Sequence, residues 1–333
     1  MPETKEATLL GLGVYRPRRV VPNSEVIEAI DSSDEWIQQR SGIRSRRFAG
    51  EDETVQMMSV SAARDAITAA GVEPGQVDAV IVATVSHFMQ TPAIAPAIAH
   101  ELGLERPAAF DISAACAGFC YGLGLARDMV RGGSARHVLV IGVERLSDQL
   151  DPTDRGTAFI FADGAGAVLV GPAPEGDTGV GPVVWGSDGE QFDLIRSRQD
   201  WRDVMEDDDP RTPHLVMQGN AVFRWAAFEM GKVAAEILDR SDLTIDDVDA
   251  FVPHQANRRI TDVMARSLHL PERVAVAHDI VDQGNTSAAS VPLALHRLVS
   301  EGAVRPGQRA LLIAFGAGLA YAGQVVTIPP TVR

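Results

Sequence analysis

Strand-length apolar runs alternate with helix-length segments along almost the whole chain, and that alternation leaves few folds open. Val77 to Val85 (VDAVIVATV), His137 to Val143 (HVLVIGV) and Gly164 to Gly171 (GAGAVLVG) read as buried strands. Met58 to Ala70 and Cys116 to Val130 carry apolar residues at helical spacing. The pattern predicts an α/β protein with helices on both sides of its sheets. The second half repeats the plan. Met217 to Leu238 is a long helical pattern, and Val248 to Val252 a short strand ending in Pro253-His254. A helix follows through Leu268, another spans Ser290 to Ser300, and Ala310 to Phe315 is a strand. Gly-Ala-Gly occurs late in both halves, at Gly164 to Gly166 and at Gly316 to Gly318. These features point to an internal duplication, with halves at residues 1–172 and 173–333. The stretch Pro172 to Pro213 is rich in Gly, Pro and acid, including Glu206-Asp207-Asp208-Asp209-Pro210. It reads as the connection between halves plus a solvated surface excursion.

Net charge is −15, from 30 Lys+Arg against 45 Asp+Glu, which argues against nucleic acid as a partner. An acidic protein partner would also be repelled unless basic residues were gathered locally, and Arg224, Arg258, Arg259 and Arg266 could form such a patch. The longest run free of charged and strongly polar residues, Ala310 to Gly323, is shorter than the ~20 residues of a membrane helix. The first twenty residues carry no secretory pattern. With only Cys116 and Cys120, no CxxC pair and no second Cys/His cluster, neither a metal site nor a disulfide framework is expected, and the reducing cytoplasm is the expected compartment. Gly11-Leu12-Gly13 lacks the third glycine of a dinucleotide fingerprint, since Arg16 stands there.

Chemistry concentrates in three places. Cys116 follows a strand-like stretch and small residues, in Phe110-Asp111-Ile112-Ser113-Ala114-Ala115-Cys116-Ala117-Gly118-Phe119, and opens a helical pattern. A thiol at the positive end of a helix should have a lowered pKa, and small neighbours would let a substrate approach. Cys120, one turn on and beside Phe119 and Tyr121, reads as core. His254 lies in Val252-Pro253-His254-Gln255-Ala256-Asn257, where a strand gives way to a helix, a usual place for active-site groups in α/β proteins. Asn285 lies in Gly284-Asn285-Thr286-Ser287-Ala288-Ala289-Ser290-Val291-Pro292. That run suits a turn and helix cap, and such a loop can also aim an amide into a pocket. Cys, His and Asn brought together point to covalent acyl chemistry.

Together with Asp34-Glu35-Trp36-Ile37, Arg40-Ser41-Gly42-Ile43-Arg44, Asp151-Pro152-Thr153-Asp154-Arg155-Gly156 and Gly219-Asn220, these stretches resemble β-ketoacyl-(acyl carrier protein) synthase III, the initiating condensing enzyme of type II fatty acid synthesis. The resemblance implies the thiolase fold, two duplicated α/β halves in an α-β-α-β-α layering, usually as a homodimer. It implies that Cys116 accepts an acyl group from acyl-CoA, with the backbone N–H groups of Cys116 and Ala317 as oxyanion hole. Ala317 stands where the family has glycine, but only the amide is needed. His254 and Asn285 would support decarboxylation of malonyl-(acyl carrier protein). Trp36 and Arg155 would sandwich the adenine, and Ser32, Arg40, Gly219, Asn220, Ala256 and Asn257 would line the rest of the coenzyme A tunnel. Arg224, Arg259 and Arg266 would meet the carrier protein. No cofactor is implied; coenzyme A arrives as substrate.

Thr91 stands where some members carry a bulky aromatic that limits the primer pocket and reaches the neighbouring subunit's site. A small residue there predicts acceptance of branched primers. The principal rival reading is a relative that primes a polyketide or transfers an acyl group to an alcohol or amine. A 3-hydroxy-3-methylglutaryl-CoA synthase would want an acidic catalytic residue, and a thiolase a second cysteine in the second half. A non-catalytic partner subunit would be expected to lose the nucleophile.

Overall fold

The structure, a computed structural model, describes residues 6–206 and 213–333. Ten strands form two five-stranded sheets. The first contains β1 (Ala7–Tyr15), β2 (Ala79–Ala83), β3 (Ala108–Ile112), β4 (Val138–Arg145) and β5 (Asp163–Pro172), in spatial order β1-β5-β4-β2-β3. The second contains β6 (Val184–Ser187), β7 (Ala250–Pro253), β8 (Ala275–Val276), β9 (Arg309–Gly316) and β10 (Ala320–Thr327), in order β6-β10-β9-β7-β8. The two orders are one arrangement written twice. In the first sheet β3, β2 and β4 run parallel, and β5 and β1 add antiparallel. In the second β8, β7 and β9 run parallel, and β10 and β6 add antiparallel. The duplication that sequence identity barely registers is thus explicit in strand order and direction.

The longer helices are α1 (Asp34–Ser41), α2 (Val55–Ala70), α3 (Ala95–Glu101), α4 (Gly118–Gly132), α5 (Gly219–Arg240), α6 (Arg258–Ser267) and α7 (Ser290–Ser300). Three apolar cores sort them into layers. Helices α2 and α3 cover the outer face of the first sheet, with Met58, Ala62, Ala66 and Ile98 against Val80, Val82, Leu139 and Ile141. Helices α4 and α7 fill the space between the sheets, where Phe119, Leu123 and Leu295 meet Val140, Val168 and Leu312. Helices α5 and α6 cover the outer face of the second sheet through Ala226, Met230, Ile237 and Met264. The layering is helix, sheet, helix, sheet, helix, as the thiolase-like fold requires. Gly11 and Gly13 belong to this packing. A Cβ on them would fall 2.4 Å and 2.3 Å from the carbonyl oxygens of Ala66 and Ala62, so bare backbone there lets β1 lie against α2.

One expectation is corrected. The segment after Pro172 is more than a connection, because Val184–Ser187 pairs with β10 and supplies the edge of the second sheet. Ile195–Ser197 also pairs with Leu215–Met217 in a small antiparallel ribbon. Short edge strands flanked by Gly and Pro carry too few apolar residues to register as a run. Of the acidic cluster, Glu206 ends a short helix, Trp201–Glu206, and Asp207 to Pro210 lie outside the described residues. Among the described residues no helix is long and apolar enough to cross a membrane.

Candidate active site

The duplicated topology brings two equivalent connections to one seam. After β3 the chain makes a single 3-10 turn, Ala115–Ala117, and enters α4; before α7 it makes the matching turn, Ser287–Ala289. The first residue of each turn has a left-handed backbone, φ 45° at Ala115 and 47° at Ser287. Side chains are uncommon in that conformation, and both residues are held in it at the point where the halves meet.

Cys116 sits inside the first turn, 8% exposed. The expected low pKa is overturned. Burial pushes the thiol up to about 12, and the nearby Glu144 adds to the rise, while a contact from the Ser287 hydroxyl opposes it. Removal of water outweighs whatever the helix terminus contributes, so the sulfur rests as a neutral thiol. Cys120 is core, fully buried one turn into α4. The end of β9 lies against the turn that holds Cys116. A Cβ on Gly316 would fall 2.5 Å from Cys116 N and 3.0 Å from Cys116 Cβ, so the next residue, Ala317, follows directly from that contact.

His254 follows β7 and is 3% exposed. Its backbone N–H donates to Ile313 O at 2.7 Å. Its Nδ1 lies 2.7 Å from Ser290 Oγ, in the first turn of α7, and that oxygen accepts the Gln255 N–H at 3.4 Å. The hydroxyl proton is then available to Nδ1, which places the ring hydrogen on Nε2; the tautomer is assigned from this network. Burial pushes the imidazole down to about 3, so it stays neutral through the physiological range. Phe315 stands edge-on to the ring at 5.6 Å. Gln255, fully buried, donates to Pro253 O and Ala277 O and accepts from Ile280 N–H, tying its own loop to the one after β8 behind the histidine.

Asn285 is anchored to the first half. Its N–H donates to Ile160 O and its carbonyl accepts from Ala162 N–H, both at 2.9 Å. The side-chain Oδ1 accepts the Ser287 N–H at 2.8 Å, which orients the amide so that its NH2 group is left to donate elsewhere. The turn reading and the pocket reading of this residue therefore describe one structure.

Cys116, His254 and Asn285 line a single cavity of about 280 Å³. Trp36, Arg40, Arg155, Gly219, Asn220, Ala256 and Asn257 line it too, as does Arg259. The Arg155 guanidinium lies 4.7 Å from the Trp36 ring centroid and that of Arg40 lies 5.6 Å away, while Phe159 backs the indole edge-on at 5.3 Å. Asn257 caps α6 by accepting the Arg259 N–H and reaches across to Arg40 O, both at 2.9 Å. Ser32 is not among the residues that line this cavity. It precedes the cap of α1, where Ser33 accepts the Trp36 N–H, and its own hydroxyl is buried without a partner among the described residues. Thr91 is exposed on the loop between β2 and α3, also off this cavity. Arg224 and Arg266 are exposed on α5 and α6, and Arg259 lies over the Phe223 ring at 5.2 Å. Sequence reasoning assigned no role to the apolar wall of Phe159, Met217, Phe223 and Phe315, nor to Ser287, Ser290 and Glu144 behind the polar groups.

Two duplicated α/β halves with a thiol, an imidazole and a carboxamide converging at their seam define a condensing enzyme of the thiolase fold. Residues 110–189 match the family description 3-oxoacyl-[acyl-carrier-protein (ACP)] synthase III, and residues 238–328 match its C-terminal counterpart. The chain is 55% identical to a β-ketoacyl-[acyl-carrier-protein] synthase III of Streptomyces glaucescens, over 97% of this chain and 96% of that one. Among solved structures it resembles the priming β-ketosynthase of the R1128 polyketide pathway, with TM-score 0.96, 50% identity and coverage of 99% and 98%. It also resembles 3-oxoacyl-(acyl carrier protein) synthase III of Pseudomonas aeruginosa, with TM-score 0.91, 38% identity and coverage of 99% and 100%. The chain belongs to the β-ketoacyl-(acyl carrier protein) synthase III family.

Proposed function

We propose that this protein condenses an acyl-CoA primer with malonyl-(acyl carrier protein), losing carbon dioxide and giving 3-oxoacyl-(acyl carrier protein). The carrying observation is the shared cavity, which has Cys116, His254 and Asn285 in its lining together with the arginine-flanked Trp36. Cys116 attacks the primer thioester, and the N–H groups of Cys116 and Ala317 hold the oxyanion. Malonyl thioester then enters. The enolate left by decarboxylation is met by two neutral donors, His254 Nε2–H and the Asn285 NH2, neither of which must lose a proton. The enolate carbon attacks the acyl-cysteine and frees the sulfur. The reaction so written needs no metal or redox cofactor. Purified protein mixed with acyl-CoA and malonyl-(acyl carrier protein) should yield free CoA and a carrier product of 3-oxoacyl mass; carrier left unextended would refute the proposal.

Fatty acid initiation is the favoured pathway, on the strength of the curated relative. The likeness to the R1128 ketosynthase supports polyketide priming as the second reading. Extension by the carrier protein of one pathway and not the other decides between them.

Adenine is read as entering between Trp36 and Arg155. These planes must part from 4.7 Å to roughly 7 Å, two van der Waals contacts, to admit a purine. Trp36→Ala is therefore expected to raise KM for acyl-CoA about tenfold with kcat nearly unchanged, as loss of a stacking surface remote from the bond change should. Steady-state kinetics against acyl-CoA checks this. Arg224, Arg259 and Arg266 are assigned to the acidic carrier, because they gather positive charge on α5 and α6 of a protein whose net charge is −15.

A homodimer is part of this reading. Strand β3 is the open edge of the first sheet, with Phe110 exposed on it and Phe88 and Met89 exposed on the loop leading to α3. An open edge with apolar flanks favours pairing with a second copy. Thr91, on that same loop, would then face the partner's primer pocket. Its small side chain predicts that isobutyryl-CoA is used at least as well as acetyl-CoA; steady-state rates with both primers test this, and a strong acetyl preference counts against it.

A further inference from the structure

Glu144 is the penultimate residue of β4 and is fully buried. Its Oε2 accepts from Thr84 Oγ1 at 3.2 Å, Val85 N–H at 3.1 Å and Ser86 Oγ at 2.6 Å. Its Oε1 accepts from Ser287 Oγ at 3.1 Å. One oxygen is thus crowded with three donors, while the other faces a single hydroxyl. That hydroxyl belongs to the left-handed residue of the α7 turn, whose N–H orients Asn285 and which packs on the Ala115–Ala117 turn holding Cys116. Thiol, serine and carboxylate are therefore neighbours across the seam.

We propose that Glu144 is a positioning and proton-accepting residue for the loading of Cys116, acting through Ser287. The inference rests on reading Cys116 as the nucleophile. As sulfur bonds to the thioester carbon, the thiol proton passes to Ser287 Oγ and the serine proton passes to Glu144 Oε1. The carbonyl electron pair moves onto oxygen. When the oxyanion collapses, the bond to the CoA sulfur breaks, and the proton returns through Ser287 to that departing sulfur. Charge balance favours this route. A thiol beside a carboxylate becomes a developing thiolate beside a carboxylic acid, so the dry cleft carries one negative charge throughout and no second ion is created in it. His254 cannot readily fill the role, because burial holds its affinity for protons too low. Glu144 suits it better, since burial lifts its carboxyl to about 7.

The groups facing Glu144 from the packed elements are Thr84, Val85 and Ser86 from the loop after β2, Ser287 and Cys116 from the two turns, and Gly164 opposite on β5. Next along β4, Arg145 is paired with Asp148 and lies opposite Asp163. The test is single-turnover acylation of the full chain by acetyl-CoA, read by mass spectrometry across neutral pH. In the unaltered protein the rate should rise through about pH 7, because the carboxylate form accepts the proton. E144Q and S287A should each slow loading about 100-fold and flatten that rise, and the double variant should be no slower than either alone. A wild-type rate in both variants, an unchanged pH profile, or losses that multiply in the double variant would overturn the relay. If E144Q does not fold, S287A alone decides by rate and pH profile. C116A separates the two layers of the argument: acylation surviving in C116A refutes the nucleophile, whereas normal acylation of E144Q and S287A refutes only the relay.

Discussion

Cys116→Ala will take up no acyl group from acyl-CoA, and overall condensation will fall by about 10⁴-fold or more. In the proposed reaction the sulfur is the atom that bonds to the primer, and the one other thiol, Cys120, is sealed in the core between the sheets. His254→Ala and Asn285→Ala should behave differently. Both should still gain the mass of an acyl group, because thioester attack draws on backbone donors. Both should lose about 10²- to 10³-fold in malonyl decarboxylation, each having removed a donor to the enolate oxygen. Intact-protein mass after mixing with acyl-CoA, beside carbon dioxide release from malonyl-(acyl carrier protein), separates the two effects. A histidine or asparagine variant that lost loading and kept decarboxylation would reverse the division of labour argued here.

Gly316→Ala should be nearly as damaging, although it alters no reacting group. The added Cβ would lie 2.5 Å from Cys116 N and 3.0 Å from Cys116 Cβ, and the first of these is backbone with no rotamer to change. Either β9 or the nucleophile turn must move. Overpacking of this kind costs about 1–3 kcal/mol of stability. The displacement falls between the Cys116 and Ala317 N–H groups, whose separation in the proposed reaction has to suit one oxygen. A shift of roughly 1 Å there is expected to lower acylation about 100-fold. Thermal unfolding beside single-turnover acylation checks both parts. A variant that keeps its loading rate would mean that the seam is softer than its packing implies.

The sequence carried the fold at the level of elements and their order. Helix α7 falls on the predicted Ser290 to Ser300, and the apolar run at residues 77–85 contains β2 with its ends trimmed to Ala79–Ala83. Trimming is expected, because apolar residues flanking a strand can be buried by loops without joining the ladder. Strand β6 was not legible, since four residues at a sheet edge owe their conformation to β10, far along the chain. The cavity was legible in part: Cys116, His254 and Asn285 line it with Trp36, Arg40, Arg155, Gly219, Asn220, Ala256, Asn257 and Arg259, whereas Ser32, Thr91, Ala317, Arg224 and Arg266 do not. The protonation of Cys116 was not. A helix terminus is visible in a local run of residues, but the wall that excludes water comes from segments far away, and that wall decides the outcome. Glu144 was overlooked for a related reason. It reads as the charged end of an apolar strand, and its significance comes from Thr84, Ser86 and Ser287, distant residues that surround it only after folding.

The paired turns at Ala115 and Ser287 place the working parts of this protein on a joint rather than within a domain. On the proposed chemistry neither half holds a complete set of reacting groups, and the alignment of sulfur with carboxamide is only as good as the fit of one half on the other. Rocking of the halves by a fraction of an ångström would detune the chemistry while every strand and helix stayed intact. In such a design rigidity of the hinge line, more than stability of either lobe, is what selection has to guard.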